Sequence, residues 1–256
     1  MEAEYLPDLV VITSPSLLPF TQLYPLAPIG IGSAQVESLG SYVARLAWEH
    51  SVAPEALVRH ILGFNHAQSI RRTSVNSVSR HLGVDYFAGM SSSTQRRVDV
   101  LETVTGQSNL AALTALRLGK TLSAFSILRY YAAWCPVYLT DDIVPYGRLL
   151  WEFECVDACP VHDLNLVTRC PRCRSSFGAF VWRGRPGFCP YCRIPVSPLR
   201  RYKGAKVDIL QDAEKRLAWA RSVGELITFL ASRTPSKDRW SHVIDTERVI
   251  RFPPLV

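Results

Sequence analysis

Cys170-Pro171-Arg172-Cys173 and Cys189-Pro190-Tyr191-Cys192 are separated by fifteen residues, and this stretch decides how the chain is read. Each C-P-x-C turn offers two thiolates, and a connector that folds back brings two such turns together as a tetrahedral zinc site. The connector suits a hairpin: Phe177, Phe180 and Trp182 favour a strand, and Arg183-Gly184-Arg185-Pro186-Gly187 favours a turn. Four protein ligands leave no position for water, so the expected zinc is structural and not catalytic. The alternative, four buried or disulfide-bonded cysteines, fits paired C-P-x-C turns poorly.

A second donor group lies upstream. Cys159-Pro160-Val161-His162 is a C-x-x-H knuckle, and Cys135-Pro136 begins another whose second cysteine position holds Tyr138. With Cys155 added, the set Cys135, Cys155, Cys159 and His162 is an allowed three-cysteine, one-histidine zinc site. The alternative is a decayed site that packs apolar side chains and leaves His162 hydrogen-bonded in a turn.

The charge of the chain is localised. Ten Lys and Arg residues and no Asp or Glu lie between Arg169 and Lys206, so the remainder of the +7 chain is net −3. A basic span interleaved with Phe177, Trp182, Phe188, Tyr191 and Tyr202 suits a nucleic-acid phosphate backbone. The expected contacts are Arg172, Arg174, Arg183, Arg185, Arg193, Arg200, Arg201, Lys203 and Lys206. A solvated face or an acidic protein partner is the competing reading.

At 256 residues and 48% apolar content there is room for one large domain or two small ones. All seven cysteines fall after residue 134, and Met1-Glu2-Ala3-Glu4 lacks the basic start of a signal peptide. Metal ligands in a reducing cytoplasm are therefore expected, not a disulfide framework. No apolar run reaches transmembrane length, so no membrane partner is expected.

Five prolines between Pro7 and Pro28 keep residues 1–33 out of regular helix and predict an extended arm. Ser33 is the expected cap of a helix marked by Val36, Leu39, Val43 and Leu46 and ending near His50. Pro54 opens a second helix carrying Arg59 and His60, which outlines a helix-turn-helix or an ordinary helical hairpin. A further helical pair is expected from Gln95 to Leu118, broken at Gly106. Leu210 to Leu230 traces a long amphipathic helix. The expected fold is mainly α with small zinc-ribbon β hairpins. Its divisions are an arm (1–33), a helix-turn-helix-like domain (34–130), tandem zinc fingers (131–200) and a C-terminal helix and tail (201–256).

In this order the segments resemble the TniQ family of transposon target-selection proteins, the TnsD group included. Leu26-Ala27-Pro28-Ile29-Gly30 ahead of Glu37-Ser38-Leu39-Gly40-Ser41-Tyr42-Val43-Ala44-Arg45-Leu46-Ala47 is similar to the family's lead and E-S-L-x-S-W-L-x-R-L-A helix. Leu101 to Gly106 resembles its L-x-x-L-T-G segment. Trp134-Cys135-Pro136, Tyr146 to Trp151 and Cys159 to His162 resemble its first zinc finger, and Cys170 to Cys192 its second. The likeness spans roughly residues 24–195. Tyr42 stands where Trp is usual and Tyr138 where a zinc cysteine is expected, so only Cys135, Cys159 and His162 carry over to the first site.

The resemblance implies a non-catalytic adaptor holding Zn2+. Such proteins recognise DNA directly or dock on an RNA-guided CRISPR effector, then recruit an AAA+ ATPase regulator that brings in the transposase complex. A homodimer is a further expected partner state. Competing readings are a zinc-ribbon transcription regulator and a metal-dependent hydrolase built on an incomplete first site. For the latter, Asp141-Asp142 and Glu152/Glu154 have no partners at a spacing suited to two-metal chemistry. A cysteine paired with His162 as a thiol nucleophile and base is a weaker reading than ligation in a knuckle.

Overall fold

A Pro/Gly turn feeding one buried helix sets the frame for everything downstream. The computed structural model describes residues 21–61, 87–118, 127–178, 185–197 and 212–232. Helix α1 spans Leu39–Glu49, with Ser38 at its N-cap accepting the Ser41 N–H at 3.2 Å. That bond satisfies one of the amides that the first turn leaves free. Ser33, the expected cap, instead donates its hydroxyl to the Gly30 carbonyl at 2.8 Å and closes a turn. Gly30 takes φ 71° there, and a Cβ would meet the Gln35 carbonyl oxygen at 2.8 Å. Val36 and Glu37 are therefore not helical, and Glu37 bridges antiparallel to Arg148.

Every residue of α1 from Leu39 to Ala47 is buried, Arg45 included. Its guanidinium meets the Glu37 carboxylate through Nε and a terminal nitrogen, each at 2.7 Å, and donates to the Ala27 carbonyl at 2.9 Å. The Ser41 hydroxyl donates to Glu37 at 3.0 Å and accepts the Gly147 N–H at 2.8 Å. The Tyr42 hydroxyl donates to the Leu26 carbonyl at 2.9 Å. Burial pushes the Glu37 carboxyl up, and the Arg45 guanidinium opposes it. The E-S-L-x-S-x-x-x-R pattern thus ties the lead, the helix and the segment between the Cys135 and Cys159 knuckles together.

Helix α2, Pro54–Ile61, opens at Pro54 as expected, buries Leu57 and Val58, and packs on α1. Arg59 and His60 on it are exposed. Helix α3 spans Ser92–Thr105, with Ser91 at its N-cap and Gly106 in the left-handed conformation past its end. The predicted helix over 110–118 does not form. Two 3-10 turns, Leu110–Leu113 and Leu116–Leu118, take its place. Thr114 between them is extended, donating its hydroxyl to the Ala111 carbonyl at 2.7 Å and accepting the Leu116 N–H at 3.2 Å. Such side-chain bonds offer the backbone an alternative to the helical ladder.

The arm is described from residue 21. It packs on the domain, with Leu23 donating its N–H to the Val104 carbonyl at 2.9 Å and Tyr24 to the His50 ring at 3.0 Å. The predicted helix near Ser77 to Val84 lies outside the described residues, as do Phe180, Trp182 and Leu210.

Helix α4 is short, Pro136–Asp141, and a 3-10 turn follows at Leu149–Glu152. Strands β1, Ala158–Cys159, and β2, Leu164–Asn165, pair antiparallel and form the described sheet. Helix α5, Ala213–Ser232, packs on β1 and on the 3-10 turn. Arg216 fixes it there, reaching Asp157 at 2.7 Å and Asn165 at 2.9 Å. At Gly224 an added Cβ would lie 3.0 Å from that of Ala34, a close approach that glycine permits. One buried apolar cluster runs from Val36 through Trp134 and Trp151 to Ile227. No helix among the described residues is long and apolar enough to cross a membrane.

The buried pair yields the first prediction. Arg45→Met leaves the Glu37 carboxylate buried without its cation and should lower unfolding stability by about 3–5 kcal/mol in urea titrations. The double variant Glu37→Gln/Arg45→Met should recover a large part of that loss. A single variant within about 1 kcal/mol of wild type would show that the pair is dispensable.

Candidate functional site

The four cysteines of the opening stretch converge. Cys170, Cys173, Cys189 and Cys192 place all four sulfurs within 4.8 Å of one another. The two turns meet reciprocally, with Cys170 Sγ and Cys192 Sγ 3.6 Å apart and Cys173 Sγ and Cys189 Sγ also 3.6 Å apart. Their backbones match as well. Cys170 donates its N–H to the Ser175 carbonyl at 2.9 Å, and Cys189 to the Ile194 carbonyl at 2.8 Å. In return Arg174 donates to the Cys170 carbonyl at 3.0 Å and Arg193 to the Cys189 carbonyl at 2.9 Å.

The sulfurs sit in different fields. Burial pushes Cys170 up, and Cys189 up to about 12, although each accepts N–H bonds from its own turn. Cys173 at the rim is held down at about 6, chiefly by the Ser175 N–H. Four sulfurs this close, two of them buried, ionise together only around a cation. The donor set fits a soft tetrahedral divalent ion.

The first cluster contains three donors, not four. Cys135, Cys159 and His162 lie within 4.8 Å of one another, and His162 Nδ1 is 3.4 Å from each sulfur. The Cys135 thiol bonds Cys159 and, with the N–H groups of Val161 and His162, holds Cys159 down at about 5 against burial. Cys155, expected as a fourth ligand, is not in the group. The buried Arg129 guanidinium donates to the carbonyls of Phe153, Glu154 and Val156, fixing the bend that contains Cys155. β1 then carries the chain onward to Cys159.

Tyr138 occupies the surroundings of the cluster instead of a fourth cysteine. Its ring meets the His162 ring edge-on, with centroids 4.4 Å apart. The Arg148 guanidinium lies 3.6 Å from the Tyr138 ring centre, 4.3 Å from that of Tyr146 and 4.8 Å from that of Trp151. Asp142 holds the same guanidinium through two bonds, at 2.9 and 3.0 Å. Burial pushes the Tyr138 hydroxyl up to about 12. Neither Arg148 nor Arg129 stands out as functional from sequence alone. A tyrosine at a ligand position followed by an aromatic-rich Y-G-R-L-L-W run is the available signal for the first, and nothing local marks the second.

Three of the four knuckles share one backbone feature. The residue four positions after the first ligand is left-handed in each: Asp163 (φ 49°), Arg174 (φ 62°) and Arg193 (φ 58°). In the fourth, after Cys135, that position is Leu139 and the chain continues into α4. The knuckle with the missing cysteine is therefore the one that became a helix.

Of the predicted phosphate contacts, Arg172, Arg174 and Arg193 are exposed. Arg185 lies 4.9 Å from the Phe188 ring centre and 5.9 Å from that of Trp48 on α1. Arg183, Arg200, Arg201, Lys203 and Lys206 fall outside the described residues. Asp142, one of the acidic residues considered for two-metal chemistry, is committed to Arg148.

The TniQ family model matches residues 28–166. A search of the curated proteins finds no match.

The difference in ligand count is measurable. Metal analysis after treatment with a mild chelator should find one tightly held ion per chain. Cys170→Ser should remove it and Cys159→Ser should spare it. Loss of the ion in Cys159→Ser alone would place the tighter site in the three-donor cluster.

Proposed function

The chain belongs to the TniQ family, and on that premise we propose that it is a zinc-bearing adaptor of DNA transposition that helps select the target and catalyses no step itself. Membership supports a transposition-associated role. The observation that carries the finer reading is the cluster of four cysteine sulfurs, which lies in a stretch of sequence with ten basic residues and no acidic one. Zinc in that cluster would hold two turns rigid and supply no open position for chemistry. The basic span then meets phosphates, either on target DNA directly or on an RNA-guided CRISPR effector. Arg59 and His60, exposed on α2, are the candidates for base contacts in a helix-turn-helix role. The protein partners on this reading are an AAA+ ATPase and, through it, the transposase complex, with the chain acting alone or as a homodimer in the cytoplasm.

The test has two parts. Purified chain should bind duplex DNA with an affinity that falls steeply as salt rises. Reversing Arg183, Arg200 and Arg201 to Glu should weaken binding and flatten the slope of log K against log salt by about 0.9 for each phosphate left without its arginine. The chain should also co-purify with an AAA+ ATPase encoded beside it. Binding that ignores both the reversal and the salt would remove the nucleic-acid reading. DNA binding without any ATPase partner would favour a transcription regulator.

A further inference from the structure

Arg174 and Arg193 occupy equivalent places in the two C-P-x-C turns, and both adopt a conformation that suits glycine. Their φ angles are 62° and 58°. L-residues avoid this region because Cβ crowds the carbonyl, and glycine enters it freely. A third charged residue shares the position in the first cluster, and its presence is explained locally. Asp163 tolerates the left-handed region better than most residues, and its carboxylate faces Arg221 of α5 at 3.8 Å.

The two arginines have no such local return. Both are exposed, and neither pairs with a carboxylate among the described residues. Arg45, Arg148 and Arg216 each hold a carboxylate, Arg129 gathers three carbonyls, and Arg185 lies over aromatic rings. Arg174 and Arg193 instead make the backbone bonds that fix their own turns, at 3.0 and 2.9 Å. The reciprocal 3.6 Å sulfur contacts relate one turn to the other across the cluster, so the two arginines are disposed as a matched pair about it. Backbone strain kept at an exposed, duplicated arginine with no carboxylate beside it signals a role outside the chain. The stretch around them has no acidic residue to claim either guanidinium.

We propose that Arg174 and Arg193 form a two-pronged clamp on the phosphodiester backbone of duplex DNA, each guanidinium meeting a phosphate as a fork. The rigid knuckles fix where each prong emerges, and the planar guanidinium supplies paired donors that lysine lacks. The clamp rests on the nucleic-acid reading proposed above and gives two residues of the basic span a fixed, paired place in it.

Full-length chain is titrated into a fluorescently labelled duplex of about 30 base pairs at several salt concentrations, alongside thermal melts and metal analysis. The clamp variant is Arg174→Gly/Arg193→Gly. The charge-matched control is Arg96→Ser/Lys215→Ser, two exposed cations outside the basic span. The clamp variant should lose roughly tenfold or more in affinity and about two units of salt slope, near 0.9 per phosphate. It should keep its metal and melt at or above the wild-type temperature, because glycine relieves the strained backbone. The control should lose less than about threefold. Equal losses in the two variants would reduce the pair to bulk charge and overturn the clamp. A lower melting temperature or lost metal in the glycine variant would overturn it in favour of a structural role. Unchanged DNA binding with loss of the ATPase partner would reassign the arginines to an acidic protein surface. If wild type binds duplex and the glycine variant matches it, the clamp alone falls. If wild type does not bind duplex at all, the nucleic-acid reading falls with it.

Discussion

The paired charges of Glu37 and Arg45 hold the described structure together at its least forgiving point. Both side chains are buried, and a buried ion pair offsets its desolvation only when its remaining donors and acceptors are also used. Here they are. Arg45 reaches the Ala27 carbonyl, Glu37 accepts from Ser41, and Ser41 takes the N–H of Gly147. The lead, the start of α1 and a stretch more than a hundred residues further on therefore share one polar knot. Around it Val36, Leu149 and Trp151 close the apolar core that continues to α5.

From that knot the order passes outward to both donor clusters. Trp134 stands next to Cys135, stacks on Phe177 with centroids 5.3 Å apart, and donates its indole N–H to the Val196 carbonyl at 3.2 Å. Cys170 and Cys189 are buried in the same cluster of side chains. The clusters are thus outgrowths of the hydrophobic core and not appendages tethered to it.

What is legible in the sequence is what a few neighbouring residues decide. Two C-P-x-C turns fold by local hydrogen bonding, so their convergence follows from spacing. Pro54 and Gly106 mark helix ends because each restricts or frees its own φ. Ser33 misleads because it precedes a periodic apolar run just as Ser38 does, and the turn it closes with Gly30 and the pairing of Glu37 with Arg148 decide between them. The 110–118 segment keeps helical spacing, yet the Thr114 hydroxyl claims the bonds the helix needs. Cys155 completes a ligand set when donors are counted, whereas its place is set by Arg129 from 24 residues and more away in sequence. Composition does not reveal that.

The setting of Arg148 carries a consequence for how this chain can change by single substitutions. Its guanidinium spends one face on Tyr138, in a cage completed by Tyr146, Trp151 and Asp142. A cysteine at 138 would offer the first cluster its fourth sulfur but strip that face from a buried cation, a contact worth about 2 kcal/mol when desolvated. Replacing Arg148 first would strand Asp142 and loosen the Tyr138 ring against His162. Each route to a complete first site crosses a less stable intermediate. The three-donor arrangement is in that sense epistatically locked: tyrosine and arginine hold each other in place, and only a paired change releases them.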